Sequence, residues 1–510
     1  MKSNHLLSKL FTSSLPQLEV YNFSRGEKAA LGVIFILMLW YDSFTYLHGP
    51  RAEKFLYIAL VPVLLMFLRQ RIFFISWLIV AELSIAFLTI GNGLNILGFT
   101  VLLSIIIIFF AKPFYGILLV TLLIPIDETV DVGIYATPSM IASTALIIAW
   151  LIRQMIVDKK LLNKTKFDLI LFILIGYITL SILWGRTFSD SMLDFKMIMM
   201  SITIYILIIQ IVTTQKQIES MLWILCIVVL LESVICVIGF SYSGGESRAT
   251  GISGDFNSSA EVILYSLFFL IGFFQYNKTL FKRLFLSAVL LCGFLGLSAT
   301  GSRGPIIILF ALFILMIIMS KELRKTFFSL GPIIFFMAIL FVCVVIFTPL
   351  GEFLTIRIET GLSPSSDSSF MSRVELWSIG IAELDSFFTW AIGIGLGSYH
   401  ELFPEGFEKW FNPHSLYVLT LVEFGIIGCL ILFFFIVFST QYIYKIWRAS
   451  RGSELNYLIL GFFIMMIAFW IQSVIAHAYY YFKFWFFLAL GMSIINVYNN
   501  SNSQTLKTVK

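Results

Sequence analysis

Apolar runs of about 14 to 25 residues follow one another along nearly the whole chain, parted by short polar breaks. No other feature restricts the fold as much. A helix of about 20 residues crosses a hydrocarbon core ~30 Å thick, and inside lipid the backbone must satisfy its own hydrogen bonds. The candidate spans are 29–47, 55–68, 72–90, 94–110, 113–126, 138–157, 167–184, 194–212, 217–240, 259–275, 282–298, 304–320, 328–348, 414–440, 456–476 and 480–497. Several early runs are short, and two could be re-entrant or fused. The expected fold is therefore an all-α polytopic transmembrane helical bundle of about 12–16 spans. A water-soluble fold would need polar surface that is missing here. Of the residues, 59% are hydrophobic and 12% charged, against about a quarter charged in soluble domains.

The breaks alternate in character. Arg69 and Arg71, Lys112, the lysines from Lys159 to Lys166, Lys216, Lys278 to Arg283, Lys321 to Lys325, and Lys445 to Arg451 form a basic set. About 24 of the 34 lysines and arginines fall on that side, which is expected to be cytoplasmic and to hold both termini. The predicted organisation is a cytosolic lead-in at 1–28 without a cleavable signal peptide, and an N-terminal bundle at 29–348. An extracytoplasmic loop at 349–413, C-terminal helices at 414–497 and a cytosolic tail at 498–510 complete it. The localisation expected from this layout is a membrane, crossed many times.

The segment 349–413 is the one long break. Within it, Val374, Trp377, Ile381, Leu384 and Phe388 recur at helical spacing, predicting an amphipathic helix over about 371–390 on the membrane surface. Gly393, Gly395 and Gly397 follow, then an aromatic-rich stretch ending at Asn412-Pro413-His414. The glycines follow no strand, so they are not a nucleotide fingerprint.

Charges near an apolar core cost about 2.5–3.5 kcal/mol each at mid-bilayer on insertion scales. Those at span ends on the outer side are therefore the candidates for chemistry. Arg303 stands in Ser298-Ala-Thr-Gly-Ser-Arg-Gly-Pro, at the expected start of a helix, where free amides and the dipole already favour an anion. A guanidinium there makes a phosphate seat; the plain alternative is an arginine snorkelling to the interface. Arg248 lies in a loop of turn-formers, with Asp255, Asn257 or Ser258 available to cap the next helix, or it is an ordinary solvated residue. Arg373 opens the surface helix, where Glu375 and Trp377 offer it a purely structural role. His414 sits at the outer mouth of a span, suited to take a proton from a hydroxyl or to act as a polar cap. Glu423, about two and a half turns deeper, lines a polar cavity or pairs with a cation from another span.

The remaining signals are weaker. Asp127, Glu128 and Asp131 could hold a divalent metal but read more readily as a solvated loop. His400-Glu401 lacks the second histidine of a zinc helix, and His477 reads as structural. The five cysteines, Cys226, Cys236, Cys292, Cys343 and Cys429, all fall in apolar runs without a CxxC, so neither a disulfide framework nor a zinc site is expected.

Three stretches resemble the O-antigen ligase and O-antigen polymerase superfamily of bacterial membrane glycosyltransferases. They are Arg248-Ala-Thr-Gly-Ile-Ser-Gly-Asp-Phe-Asn, Ser298-Ala-Thr-Gly-Ser-Arg-Gly, and the series from Ser372-Arg373 through Gly393-Ile-Gly-Leu-Gly to Pro413-His414-Ser415 and Glu423-Phe-Gly. The likeness covers about 248–430; the N-terminal half shares only its apolar character. Where the family often has His-Asn, this chain has His414-Ser415. The resemblance implies an inverting, metal-independent transfer or polymerisation of glycan units, with no cofactor. The donor would be linked to undecaprenyl diphosphate on the outer face, and the acceptor a sugar hydroxyl on a glycan or lipid-glycan. Arg248, Arg303, Arg373 and Glu423 would bind the diphosphate and glycan, and His414 with Arg303 would be catalytic. The implied partners are the lipid-linked donor, the acceptor and membrane lipid, with room for other polysaccharide assembly proteins and none for nucleic acid. A transporter of lipid-linked oligosaccharide, or a non-catalytic export component, is the rival reading. The first tends to show repeated halves and mid-membrane charge, and no repeat is visible.

Overall fold

The computed structural model describes residues 109–126, 138–155, 165–244, 247–329, 355, 368–402, 413–476 and 482–508. The expected spans 29–47, 55–68 and 72–90, most of 94–110 and of 328–348, the acidic group at 127–131, His477 and Cys343 lie outside these residues. Among the described residues the structure is all-helical. The helices are α1 (Pro113–Leu123), α2 (Pro138–Arg153), α3 (Asp168–Ser181), α4 (Phe188–Ile211), α5 (Gln215–Tyr242), α6 (Phe256–Tyr276), α7 (Leu280–Ala299) and α8 (Arg303–Met319). They continue with α9 (Lys321–Ser329), α10 (Ser368–Ala382), α11 (Phe387–Ile392), α12 (Leu416–Ala449), α13 (Asn456–Gln472) and α14 (Phe482–Thr508). Five of them, α4, α5, α6, α7 and α12, are long and apolar enough to cross a membrane, and several shorter apolar helices accompany them. The chain is thus a multi-pass membrane protein.

Two compact units emerge. One comprises residues 1–111 and 148–161, the other 112–147 and 162–510. In the first, Arg153 is buried and donates to the carbonyls of Phe110 (3.0 Å) and Ala111 (2.9 Å), satisfying acceptors that a helix end leaves open. Everything below concerns the second.

At its centre stand α6 and α13. α6 is buried on every face from Ser258 to Gln275, the behaviour of a helix sheathed by other helices. The pair approaches closely through glycines. A Cβ on Gly272 would lie 2.5 Å from the Tyr457 carbonyl oxygen, and one on Gly461 the same distance from that of Phe268. Small residues at such contacts let dispersion hold helices together where lipid supplies no hydrophobic drive. Around this pair, α5 packs on α7 and α6, α7 on α6, α8 and α12 on α13, and α14 on α4 and α13. Caps set the starts. Thr214 and Gln217 form a capping box at α5, Asp255 accepts from the amides of Asn257 and Ser258 at α6, and the Ser415 hydroxyl accepts from the Val418 amide at α12.

The bundle has two chemically distinct ends. At one, Lys278 pairs with Glu454 and Lys166 lies over the Tyr442 ring, so several basic breaks gather there. The breaks holding Arg248, Ser302 and His414 meet at the other.

The surface segment differs from expectation. In place of one helix over 371–390, α10 ends at Ala382 and α11 begins at Phe387. Asp385-Ser386 starts a new helix because Ser386 and Thr389 complete a second capping box, which outweighs the continuing apolar period. Leu384 is buried in the turn, while Phe387 and Phe388 stay exposed.

Candidate active site

The site is assembled from four breaks at one end of the bundle. The first is the loop from Ser247 to Asp255. Arg248 is half-buried, and its guanidinium reaches three acceptors. Nε donates to the Thr300 carbonyl (3.1 Å), and Nη2 donates to Ser302 Oγ (2.8 Å) and Asn257 Oδ1 (3.2 Å). Its central carbon stands 3.2 Å from the centre of the Phe256 ring, a cation–π stack. The planar fork thereby ties the loop to the α7–α8 break and to the first turn of α6.

The second break, Thr300 to Ser302, starts α8. Ser302 occupies the N-cap position, yet its hydroxyl is engaged with Arg248, Asn257 and the Phe256 carbonyl and does not cap the helix. Arg303 is the first helical residue and is half-buried, so its guanidinium issues from a helix N-terminus whose dipole favours an anion.

The third and fourth breaks share a strut. A Cβ on Gly304 would lie 2.7 Å from Ile475 Cδ1, so α8 starts against the chain that follows α13. The Leu416 amide donates to the carbonyls of Ser473 (2.9 Å) and Ala476 (2.8 Å) on that same stretch. Arg303 and His414 are thus each one or two residues from a contact with 473–476, at one end of the molecule. Above them α10 clamps the turn, with Trp377 Nε1 donating to the Pro413 carbonyl (2.6 Å). His414 takes a left-handed backbone (φ 48°), uncommon for a residue with a side chain.

Electrostatics connects the pieces. Burial lowers the His414 pKa from its ordinary value, and the Arg373 charge lowers it further, while the Asp255 carboxylate pulls it back up. Arg373 and Asp255 therefore both act on the imidazole. Asp255 caps α6, whose Asn257 holds Arg248, which holds Ser302 next to Arg303. The three candidate cations and the imidazole are connected in short steps. The neutral imidazole that results is the form able to accept a proton.

Glu423 is placed elsewhere. It is fully buried, and its carboxylate accepts from the Gly397 amide (3.1 Å). Just beyond it, α12 is interrupted at Gly425 (φ 64°, ψ −165°), which frees carbonyls from the helical ladder. The glycine segment inserts there. Ile394 donates to the Val422 carbonyl and Gly395 to that of Glu423, each at 2.9 Å. Its far side meets the start of α4. Ser191 Oγ donates to the Leu396 carbonyl (2.6 Å), and a Cβ on Gly395 would collide with Gly185. The three glycines of 393–397 are there because backbone touches backbone on both sides.

His400 follows this segment and lies 3.6 Å from Asp194 Oδ2. Burial works against a charge on it, but the Asp194 bond and the carboxylates of Asp194, Glu423 and Asp190 outweigh that, and its pKa is raised. The two histidines thus differ in environment: burial and then a cation lower the pKa of His414, whereas carboxylates raise that of His400. Among the described residues no group of three or more histidines, cysteines, aspartates or glutamates could hold a metal ion.

Sequence reasoning passed over several buried charges, and two of them touch the site. Lys483, in the first turn of α14, donates to Ser258 beside Asn257. Glu232, within α5, accepts from the loop that bears Arg248. A lone ionisable residue inside an apolar run was the signal available for both.

An apolar crevice is lined by Leu416, two residues from His414, and by residues of α3, α4, α12, α13 and α14, among them Tyr177, Phe424, Phe469 and Trp485.

Comparison with known proteins bears on this arrangement. Residues 286–433 match the model of a family described as O-antigen ligase. The matched stretch includes Arg303, Arg373, His414 and Glu423, and Arg248 lies ahead of it. No curated protein matches the chain.

Proposed function

We propose that this chain transfers or polymerises glycan units at the outer face of the membrane. The donor is an undecaprenyl-diphosphate-linked glycan, and the acceptor is a sugar hydroxyl. The observation that carries this reading is the gathering of Arg248, Arg303, Arg373 and His414 at one end of a membrane bundle, the end away from the basic breaks.

In the reaction, the acceptor hydroxyl oxygen attacks the anomeric carbon as the bond from that carbon to the diphosphate oxygen breaks. The stereochemistry inverts, and the hydroxyl proton passes to His414. Negative charge develops on the departing diphosphate. Arg303, at the N-terminus of α8, stabilises it together with that helix's dipole, and Arg248 and Arg373 complete the cationic wall. The low pKa of His414 suits a base that must be unprotonated before each turnover. In this reading the isoprenoid tail lies along the apolar helix faces, on the side where Leu416 lines an apolar crevice. Glu423 acts at one remove, by seating the glycine segment. The orientation follows from the excess of lysine and arginine at the opposite end, which marks the cytoplasmic side.

Membranes containing Arg303→Ala or His414→Ala at wild-type protein level test this reading. Loss of the base should lower glycan transfer from a lipid-linked donor about 10²–10⁴-fold. Transfer at the normal rate in either variant would show that these residues are not the catalytic ones.

A further inference from the structure

Glu232 lies within the apolar helix α5 and is completely shielded from solvent. An unaccompanied carboxylate in that setting is strongly disfavoured, so what satisfies it is informative. Its partners are all on the loop that carries Arg248. The Ile252 amide donates to Oε2 (3.0 Å), while the Ser253 amide (3.3 Å) and hydroxyl (2.8 Å) donate to Oε1. Gly251 permits this approach, because a Cβ there would run into the Glu232 carboxylate and lie 2.9 Å from Ser259 Oγ. The Gly251 amide in turn donates to Ser259 Oγ (2.9 Å).

The loop is therefore drawn down into the bundle at residues 251–253. Between that segment and Arg248, the Ala249 amide donates to the Ala299 carbonyl (3.1 Å) at the end of α7. Arg248 immediately precedes these two fixings and reaches the break at Thr300–Ser302. Its fork meets three acceptors from two other segments, which requires the loop to stand at one height and one angle.

We propose that Glu232 is a positioning residue, a membrane-buried anchor whose carboxylate sets the loop so that the Arg248 guanidinium meets Thr300, Ser302 and Asn257. It is enclosed by its own helix and the loop, so it acts through Arg248 and not on substrate. The proposal rests on the reading of Arg248 as part of the diphosphate wall.

The test uses the full chain in detergent or nanodiscs. Amide hydrogen exchange over 249–255 is compared in wild type, Glu232→Gln, Glu232→Asp and Ser253→Ala. Losing a charge-assisted bond should speed exchange at Ile252 and Ser253 at least about tenfold in Glu232→Gln and less in Ser253→Ala, with α6 unchanged. Unchanged exchange at 252–253 in Glu232→Gln overturns the anchor. If Glu232→Gln does not fold, Glu232→Asp and Ser253→Ala give the same reading, and unchanged exchange in both refutes it. A glycan-transfer assay adds a double-mutant cycle with Arg248→Ala. Positioning through Arg248 requires Glu232→Gln to lower transfer about tenfold or more alone and less than about twofold on the Arg248→Ala background. Independent, multiplying losses overturn the proposal. If Arg248→Ala transfers normally while Glu232→Gln loosens the loop, the reading of Arg248 fails and the anchor itself stands.

Discussion

Replacing Arg248 with lysine keeps the charge and removes the fork, which makes it the sharpest probe of the site. The guanidinium serves three acceptors lying in different directions, Thr300 O, Ser302 Oγ and Asn257 Oδ1, between 2.8 and 3.2 Å away. A lysine ammonium is a compact point charge; placed where Nη2 stands it can keep Ser302 and Asn257, but it leaves Thr300 O, which Nε served, without its donor. Hydrogen bonds to charged groups are worth about 1.5–3 kcal/mol each, but Arg248 is half-buried and water can replace part of the loss. One bond at about 0.8–1.5 kcal/mol is therefore the expected loss. At 1.36 kcal/mol per decade, transfer should fall about four- to tenfold. The assay is product formation from a lipid-linked donor by purified protein, normalised to folded protein by gel filtration. The loss should appear in kcat/KM, because the misplaced group is proposed to touch the leaving diphosphate. A folded Arg248→Lys protein working within twofold of wild type would mean that charge alone matters and the fork geometry is irrelevant.

Three further outcomes follow from the same geometry. His414 is depressed in pKa, so the acid limb of the rate profile should lie below 6.5; removing the Arg373 charge with Arg373→Gln should move the limb up, and Asp255→Asn should move it down, both read from residual kcat/KM against pH. The stability contributed by this depression is present above pH 6.5 and lost as pH falls through the lowered folded-state value, which thermal scans at graded pH will register. Gly425→Ala places a side chain on a backbone reserved for glycine, with its Cβ 2.5 Å from the Ala391 carbonyl oxygen and Gly393 nitrogen; a destabilisation of about 2–4 kcal/mol is expected in thermal unfolding in detergent. Glu423→Ala strands the Gly397 amide and should destabilise the glycine segment by about 1–3 kcal/mol, measured as faster exchange at 394–398, with no change at 252–253.

Much of this molecule is legible along the chain. Helices α5 to α8 and α13 start and end within about four residues of the expected apolar runs, whereas α4 begins earlier than 194 and α12 and α14 run on to Ala449 and Thr508, past 440 and 497. Asp255, read as one of three capping candidates at α6, is the one that caps. The separation of basic breaks from the breaks bearing Arg303 and His414 was already visible as alternation of charge. These features are local, since a span needs only about 20 residues of one character and a cap needs four residues in order.

Other features depend on segments far apart in the chain. The glycine segment at 393–397 could be read along the chain only as not a nucleotide fingerprint. Its role came from bonds to Val422 and Glu423 across a break in α12 that no apolar period announces. Glu423 was read with the cations and instead lies beneath this segment. Glu232 and Lys483 were passed over because a single charge inside an apolar run does not state its partner, and that partner sits on another helix or loop. A linear sequence encodes what each residue prefers as solvent. Which backbone amide reaches a buried carboxylate, and which arginine meets which helix start, is decided only when the helices pack.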